Sequence, residues 1–244
     1  MAEYSWAQNG VRIGWVTALT AGFATLGYIV HGVSRSGALA GAVVCFALFA
    51  SAGPAAFVSL LTLFVITWIA TRIGRARKVR LGTAERGEGR RASQVFANLG
   101  VVTVCAVLYA LRGEDLWLVA IAAALAEAAA DTVSSELGQA FSRRALLITS
   151  LETVPPGTDG GISIRGTASG VLAAVVMSLM CVVAGLIPER AAGAVALAGI
   201  LGMVIDSLLG ACFERARQLS NDTVNFLGTA TAALAGGLVA GWWG

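Results

Sequence analysis

The segment Ala130-Asp131-Thr132-Val133-Ser134-Ser135-Glu136-Leu137-Gly138 sets two carboxylates and three hydroxyls at the end of a long apolar run. Further on, Val154-Pro155-Pro156-Gly157-Thr158-Asp159-Gly160-Gly161-Ile162-Ser163 is a Gly/Pro-rich polar stretch that leads into another apolar run. Carboxylates are costly to keep near hydrocarbon, and a loop of Gly, Ser and Thr can turn many N–H and O–H donors toward an anion. Together they point to metal-assisted phosphate chemistry at a membrane surface.

On a helix, Glu127, Asp131 and Ser134 or Ser135 share one face, with Gly138 further along it. Glu136 points roughly 140° away from Asp131 and joins that face only if the helix unwinds before Gly138. Asp131 suits Mg²⁺, which takes oxygen ligands and keeps waters or substrate phosphates in the remaining positions. The plainer alternative is interhelical hydrogen bonding, or an ion pair with Arg143 or Arg144. Asp206, in Ile205-Asp206-Ser207-Leu208-Leu209-Gly210-Ala211, also lies near a helix end. A lone carboxylate there needs a partner, and a metal shared with Asp131 supplies one.

The loop residues Gly157, Thr158, Asp159, Gly160, Gly161 and Ser163, continuing to Gly166 and Thr167, are candidates for phosphate contact. Glycine permits close backbone approach, and the following helix offers its positive end. No Gly-Lys-Ser/Thr follows, so this is not a P-loop; the alternative is a structural turn capped by Ser163 or Thr167. Arg90 and Arg91 could grip phosphate bidentately, or serve only as an orientation signal. They run into a span carrying Gln94 and Asn98. Asn221, Asp222 and Asn225 cap the last span and can also line the site. His31 reads as interfacial packing, and Cys45, Cys105, Cys181 and Cys212, all inside apolar runs, as small hydrophobes.

The elements that must hold these groups are membrane helices. Of 244 residues, 57% are hydrophobic and 13% charged, against about 25% charged in a soluble domain. The expected fold is all-α, a single integral membrane domain over 1–244 with about eight spans: 14–33, 37–52, 55–71, 93–111, 116–138, 167–187, 192–212 and 225–243. The second and third, joined through Gly53-Pro54, are short enough to form a tight hairpin or to tilt less than the others. A cleavable signal peptide is not expected, since the first apolar run follows Glu3 and continues at spanning length. Of the 17 Lys and Arg, only Arg12, Arg112 and Arg190 fall outside one set of alternating connections. The positive-inside rule puts that basic set, and with it the polar residues of 72–92, 139–166 and 213–224, in the cytoplasm.

The runs Arg80-Leu81-Gly82-Thr83-Ala84-Glu85, Gly89 to Asn98, Ala130 to Gly138, Pro155 to Ser163, Gly166-Thr167-Ala168, Asp206 to Ala211 and Asn221 to Phe226 resemble, in order, the transmembrane protein 19 family. That family includes the plant phytyl-phosphate kinase. A more distant similarity is to phosphatidate cytidylyltransferase, dolichol kinase and phytol kinase, which share a Gly-Asp segment and a Lys-Thr-x-Glu-Gly-like segment. Here Ala130 replaces the glycine, and Ser163-Ile164-Arg165-Gly166-Thr167 lacks the Lys and Glu.

The resemblance implies a membrane kinase that moves a phosphoryl group from a nucleoside triphosphate, CTP by analogy, to a prenyl monophosphate. Asp131 and Asp206 would hold Mg²⁺, Glu136 would assist, and the loop and the paired arginines would hold phosphates. Two other readings remain: a transporter or flippase of a phosphorylated lipid or anion, and a cytidylyltransferase acting on a lipid phosphate. The expected partners are the lipid membrane, the nucleotide and the prenyl phosphate, with no nucleic acid; pairing into a homodimer is left open.

Overall fold

The computed structural model describes residues 2–85 and 87–242, with side chains from Ile13 onward. The chain runs through α1 (Ala2–Ile29), α2 (Arg35–Arg72), α3 (Arg75–Leu81), α4 (Ala92–Arg112) and α5 (Leu116–Phe141). Three short strands follow, β1 (Ala145–Leu147), β2 (Thr153–Val154) and β3 (Gly161–Ile162), then α6 (Ile164–Val183), α7 (Ala192–Leu209) and α8 (Asn221–Gly241). Six of the described helices are long and apolar enough to cross a membrane, and Ile13–Ile29 is a shorter apolar helix. This is a polytopic helical membrane protein.

The Gly53-Pro54 step turns α2 back on itself. Gly53 has φ 78° and ψ −168°, outside the helical region, and the rings of Phe49 and Phe57 stack at 5.1 Å across the bend. At the other end, Trp68 Nε1 and Arg72 Nη2 both donate to the carbonyl of Val30, just before α2 begins. A straight helix of 38 residues would be about 57 Å long, so its ends could not meet in this way. The two arms, each roughly 27 Å, form the hairpin expected of 37–52 and 55–71.

Helix α5 is the axis. Its apolar stretch is 78% buried, against 33–39% for the other spanning helices. The run Ala120 to Ala130 is almost wholly small, and neighbours press on it through glycines. A Cβ on Gly170 would meet the Ala130 carbonyl at 2.8 Å, and one on Gly199 the Ala126 backbone at 2.9 Å. Such close approach is how helices pack where lipid offers no hydrophobic drive.

One departure from the all-helical expectation lies in the loop after α5. The strands pair antiparallel in the order β2-β1-β3. Gly and Pro stop helix propagation here, and pairing satisfies the backbone of a segment lying against the bundle end.

The basic connections converge on one end of the bundle. Arg90 is tied by its backbone to Gly32 and Ser34, Arg77 donates to the Ser142 carbonyl, and Arg165 to the Phe141 carbonyl at 2.8 Å.

Candidate active site

A cavity of about 250 Å³ opens at this end. Helix α5 supplies Asp131, Thr132, Ser134, Ser135, Glu136 and Gln139; α7 supplies Asp206 and Ser207; α4 supplies Gln94 and Asn98. The loop residues Gly157, Thr158, Asp159, Gly160, Gly161 and Ser163 form a wall, and Asn221 and Asn225 add the first turn of α8.

Asp131 and Asp206 face each other within hydrogen-bonding reach. The charge of Arg90 acts on Asp131, and its Nη2 donates to Thr132 Oγ1 at 3.2 Å. Behind the pair, Glu127 is 1% exposed. A Cβ on Gly228 would lie 2.7 Å from Glu127 Oε1 and 3.4 Å from Asp206 Oδ2, so α8 carries only glycine beside them. Asp206 Oδ2, Glu127 Oε1 and Gln139 Oε1 are buried without a hydrogen-bond partner among the described residues. Glu214, at the end of the π-helical turn Gly210–Glu214 that closes α7, brings a further carboxylate near Asp159.

The balance of charge is acidic. Among the described residues the walls carry six carboxyl groups (Glu85, Asp131, Glu136, Asp159, Asp206 and Glu214) and one arginine, Arg90. Glu136 is offset by Lys78 and Glu85 is engaged by neighbours, which still leaves Asp131, Asp159, Asp206 and Glu214 facing one cation. A triphosphate entering alone would meet repulsion, so the cavity suits an anion only together with cations. Among the described residues no three His, Cys, Asp or Glu side chains form a ready metal cage. Two facing aspartates with an unpartnered oxygen are nonetheless what Mg²⁺ uses when substrate phosphates complete its shell. In this respect the residues fit the ion.

Four residues expected at the site lie outside these walls. Arg91 is exposed at the start of α4, where its N–H donates to Gln94 Oε1 at 2.8 Å. Gly166 is buried between α5 and α6; a Cβ there would come within 2.7 Å of the Ser134 carbonyl. Thr167 sits in the first turn of α6, its N–H bonded to the Ser163 carbonyl, and Asp222 lies on α8 outside the cavity lining. The start of α6 is occupied by its own cap, because Ser163 Oγ accepts from the Gly166 N–H at 3.1 Å.

Glu136 does reach the cavity although α5 remains helical to Phe141, and it is not free. Lys78 Nζ meets Glu136 Oε2 at 2.5 Å and also donates to the carbonyls of Ala70 and Thr71. Lys78 is 1% exposed. In the sequence it reads as one more charge in a basic run, yet it is the only lysine in the chain. A compact ammonium with three donors fits three converging acceptors better than a planar guanidinium does. Gln94, already notable in the sequence beside Asn98, donates through Nε2 to Glu85 Oε2 at 3.3 Å; Glu214 stands out in neither type nor spacing.

The integral membrane protein family DUF92 matches residues 18–233. The chain belongs to that family. It is the transmembrane protein 19 family to which the motifs pointed. Protein VTE6, chloroplastic, of Arabidopsis thaliana is 32% identical over 209 residues, covering 82% of this chain and 62% of its own length. This chain thus spans less than two thirds of that relative. Uncharacterized membrane protein MJ0933 of Methanocaldococcus jannaschii is 32% identical, covering 85% of each chain. Uncharacterized membrane protein sll0875 of Synechocystis sp. is 31% identical over 76% of this chain and 75% of its own. No solved structure matches the chain.

Proposed function

We propose that this protein is a membrane phosphotransferase that moves the terminal phosphoryl group of a nucleoside triphosphate, CTP by family analogy, onto a prenyl monophosphate. The observation that carries the reading is the facing pair Asp131 and Asp206, with an unpartnered oxygen, in an acidic cavity opposite the Gly157–Gly161 loop and beside Arg90. The resemblance of its motifs to the family that includes the plant phytyl-phosphate kinase supports the reading at the level of a prenyl-phosphate kinase-like role.

In the reaction an oxygen of the acceptor phosphate attacks the terminal phosphorus of the triphosphate. A P–O bond forms, the bond to the bridging oxygen breaks, and a nucleoside diphosphate leaves. The attacking oxygen is already anionic, so the protein needs no base, and positioning and charge neutralisation carry the catalysis. Asp131 and Asp206 would hold Mg²⁺, which when bound neutralises phosphate charge. Arg90 holds the acceptor phosphate, and its backbone bonds to Gly32 and Ser34 fix where its side chain starts. Glu136, neutralised by Lys78, secures α3 to α5 beside the cavity and serves in positioning. The polar end faces the cytoplasm, since it carries the basic connections, and α1, the two arms of α2, α4, α5, α6, α7 and α8 make eight crossings.

Purified protein incubated with each nucleoside triphosphate, Mg²⁺ and a panel of prenyl monophosphates tests the reading. A prenyl diphosphate and a nucleoside diphosphate are the expected products. A product carrying the nucleotide itself would instead mean cytidylyl transfer, and no product with any pair would sink the proposal.

A further inference from the structure

A second cavity, of about 100 Å³, adjoins the polar one. Its mouth is at the same end of the bundle, between Arg72, Arg75 and His31, and it descends among α1, the two arms of α2 and α4. Glu85, Arg90, Gln94 and Asn98 belong to the walls of both cavities. Below that junction the lining turns apolar, with Phe23, Leu60, Leu63, Phe64, Leu99 and Ala128.

We propose that this chamber, widening from its closed volume of about 100 Å³ as its apolar walls part, holds the isoprenoid tail of the acceptor, and that its depth sets the longest tail accepted. The proposal rests on the function proposed above and adds to it a site and a length gauge. Arg90, the one described arginine on the polar cavity's wall, stands at the junction. A phosphate bound there has the acidic cavity on one side and the apolar chamber on the other, so a molecule with a charged head and a hydrocarbon tail can satisfy both at once. The deepest lining residues give the scale: Gly41 lies about 9 Å along α2 from Arg35, and Leu60 about 18 Å from Arg72. Both fall short of the ~30 Å hydrocarbon thickness, so the chamber ends inside the membrane. Its wall is partly aromatic, with Phe23 set edge-on to Phe64 at 5.3 Å and to Phe57, behind the lining, at 6.0 Å.

Gly41 provides the test. It lines the chamber, and a Cβ there would meet nothing within 4 Å, so a larger side chain grows into the cavity and not into a neighbour. Turnover of geranyl, farnesyl and geranylgeranyl monophosphate is measured for the full chain and for Gly41→Leu. The ratio of geranylgeranyl to geranyl turnover should fall by at least about tenfold, the usual worth of a lost hydrophobic fit. Leu60→Ala, which opens the deepest part of the lining on the second arm of α2, should move the ratio the other way. An unchanged ratio in a Gly41→Leu protein that elutes and melts normally would overturn the proposal.

A geranylgeranyl monophosphate analogue with a diazirine on its distal unit supplies a measurement on the unaltered protein, which decides should that variant fail to fold. Crosslinks should fall on peptides carrying Phe23, Leu60 or Leu99, and free geranylgeranyl monophosphate should suppress them. Crosslinks confined to the lipid-facing surface, or suppression equally by two-chained phosphatidate, would reject a single-tail chamber. Crosslinking at these peptides without turnover of any monophosphate would leave the tail site standing and remove the kinase reading.

Discussion

Three carboxyl groups, Glu127, Asp131 and Asp206, come together from two helices in a region with one nearby arginine. Burial and mutual repulsion both work against folding, so the cluster costs stability wherever no cation offsets it. Asp131→Asn and Asp206→Asn should therefore each raise the melting temperature, by an increment worth about 1–2 kcal/mol, while lowering turnover roughly a hundredfold or more. Differential scanning fluorimetry beside the kinase assay reads both. Mg²⁺ should stabilise the unaltered protein and do much less for the double Asn variant, because binding to the folded state alone shifts melting. A variant that melts lower and keeps its turnover would mean that these aspartates are structural.

Lys78 behaves in the opposite sense. Its ammonium is buried against Glu136 and two carbonyls in the last turn of α2, where the helix dipole favours a cation. Lys78→Met leaves Glu136 without its partner and should cost about 3–5 kcal/mol. The double substitution Lys78→Met with Glu136→Leu should recover most of that, as paired removal of a buried ion pair usually does. Lys78→Arg should remain destabilised despite keeping the charge, since its fork cannot meet three acceptors placed for an ammonium. Denaturation midpoints of the three variants check the order.

At the level of elements, the long apolar runs were legible because a bilayer demands some twenty apolar residues per helix and little else in a sequence does so. The bend at Gly53-Pro54 was legible for the same reason: two short runs with a breaker between them read as a hairpin. The sheet was not, because strands of two or three residues show no alternation to detect. The loop glycines were read as places for phosphate to come close. Gly160 is glycine for another reason also: its φ is +70°, and a Cβ would collide with the backbone of Ala211 in the π-helical turn after α7. Gly160→Ala should therefore lower the melting temperature by more than the ~1 kcal/mol of an ordinary glycine replacement and loosen Asp159 and Glu214 together. Gly161→Ala meets the Thr158 carbonyl at 2.8 Å within its own loop and should act locally. Equal melting temperatures for the two variants would remove this contact as a clamp between loop and helix.

Across the whole molecule, the sequence places Asp131 and Asp206 each near a helix end on the same side, and their pairing through a shared metal follows there only from a lone carboxylate's need for a partner, not from any pattern of packing. Their facing requires α5 to pack on α7 through small residues, which no local pattern encodes. The arginines are legible as a set but not apart: Arg90 enters the cavity and Arg91 turns to solvent, where the extended backbone pairs Arg90 with Val33. What ties the site to a compartment is the gathering of the basic connections at one end. If the positive-inside rule holds here, Glu88, exposed beside that end, faces the cytoplasm, and Glu114, exposed in the turn between α4 and α5, faces outward. Single cysteines at these positions, with the exposed Cys212 replaced by serine, report on this directly. An impermeant maleimide should label Glu114→Cys in intact cells and Glu88→Cys only in inverted vesicles. The reverse pattern would turn the cavity away from nucleoside triphosphates and favour a role in moving a phosphorylated lipid or anion over one in phosphorylating it.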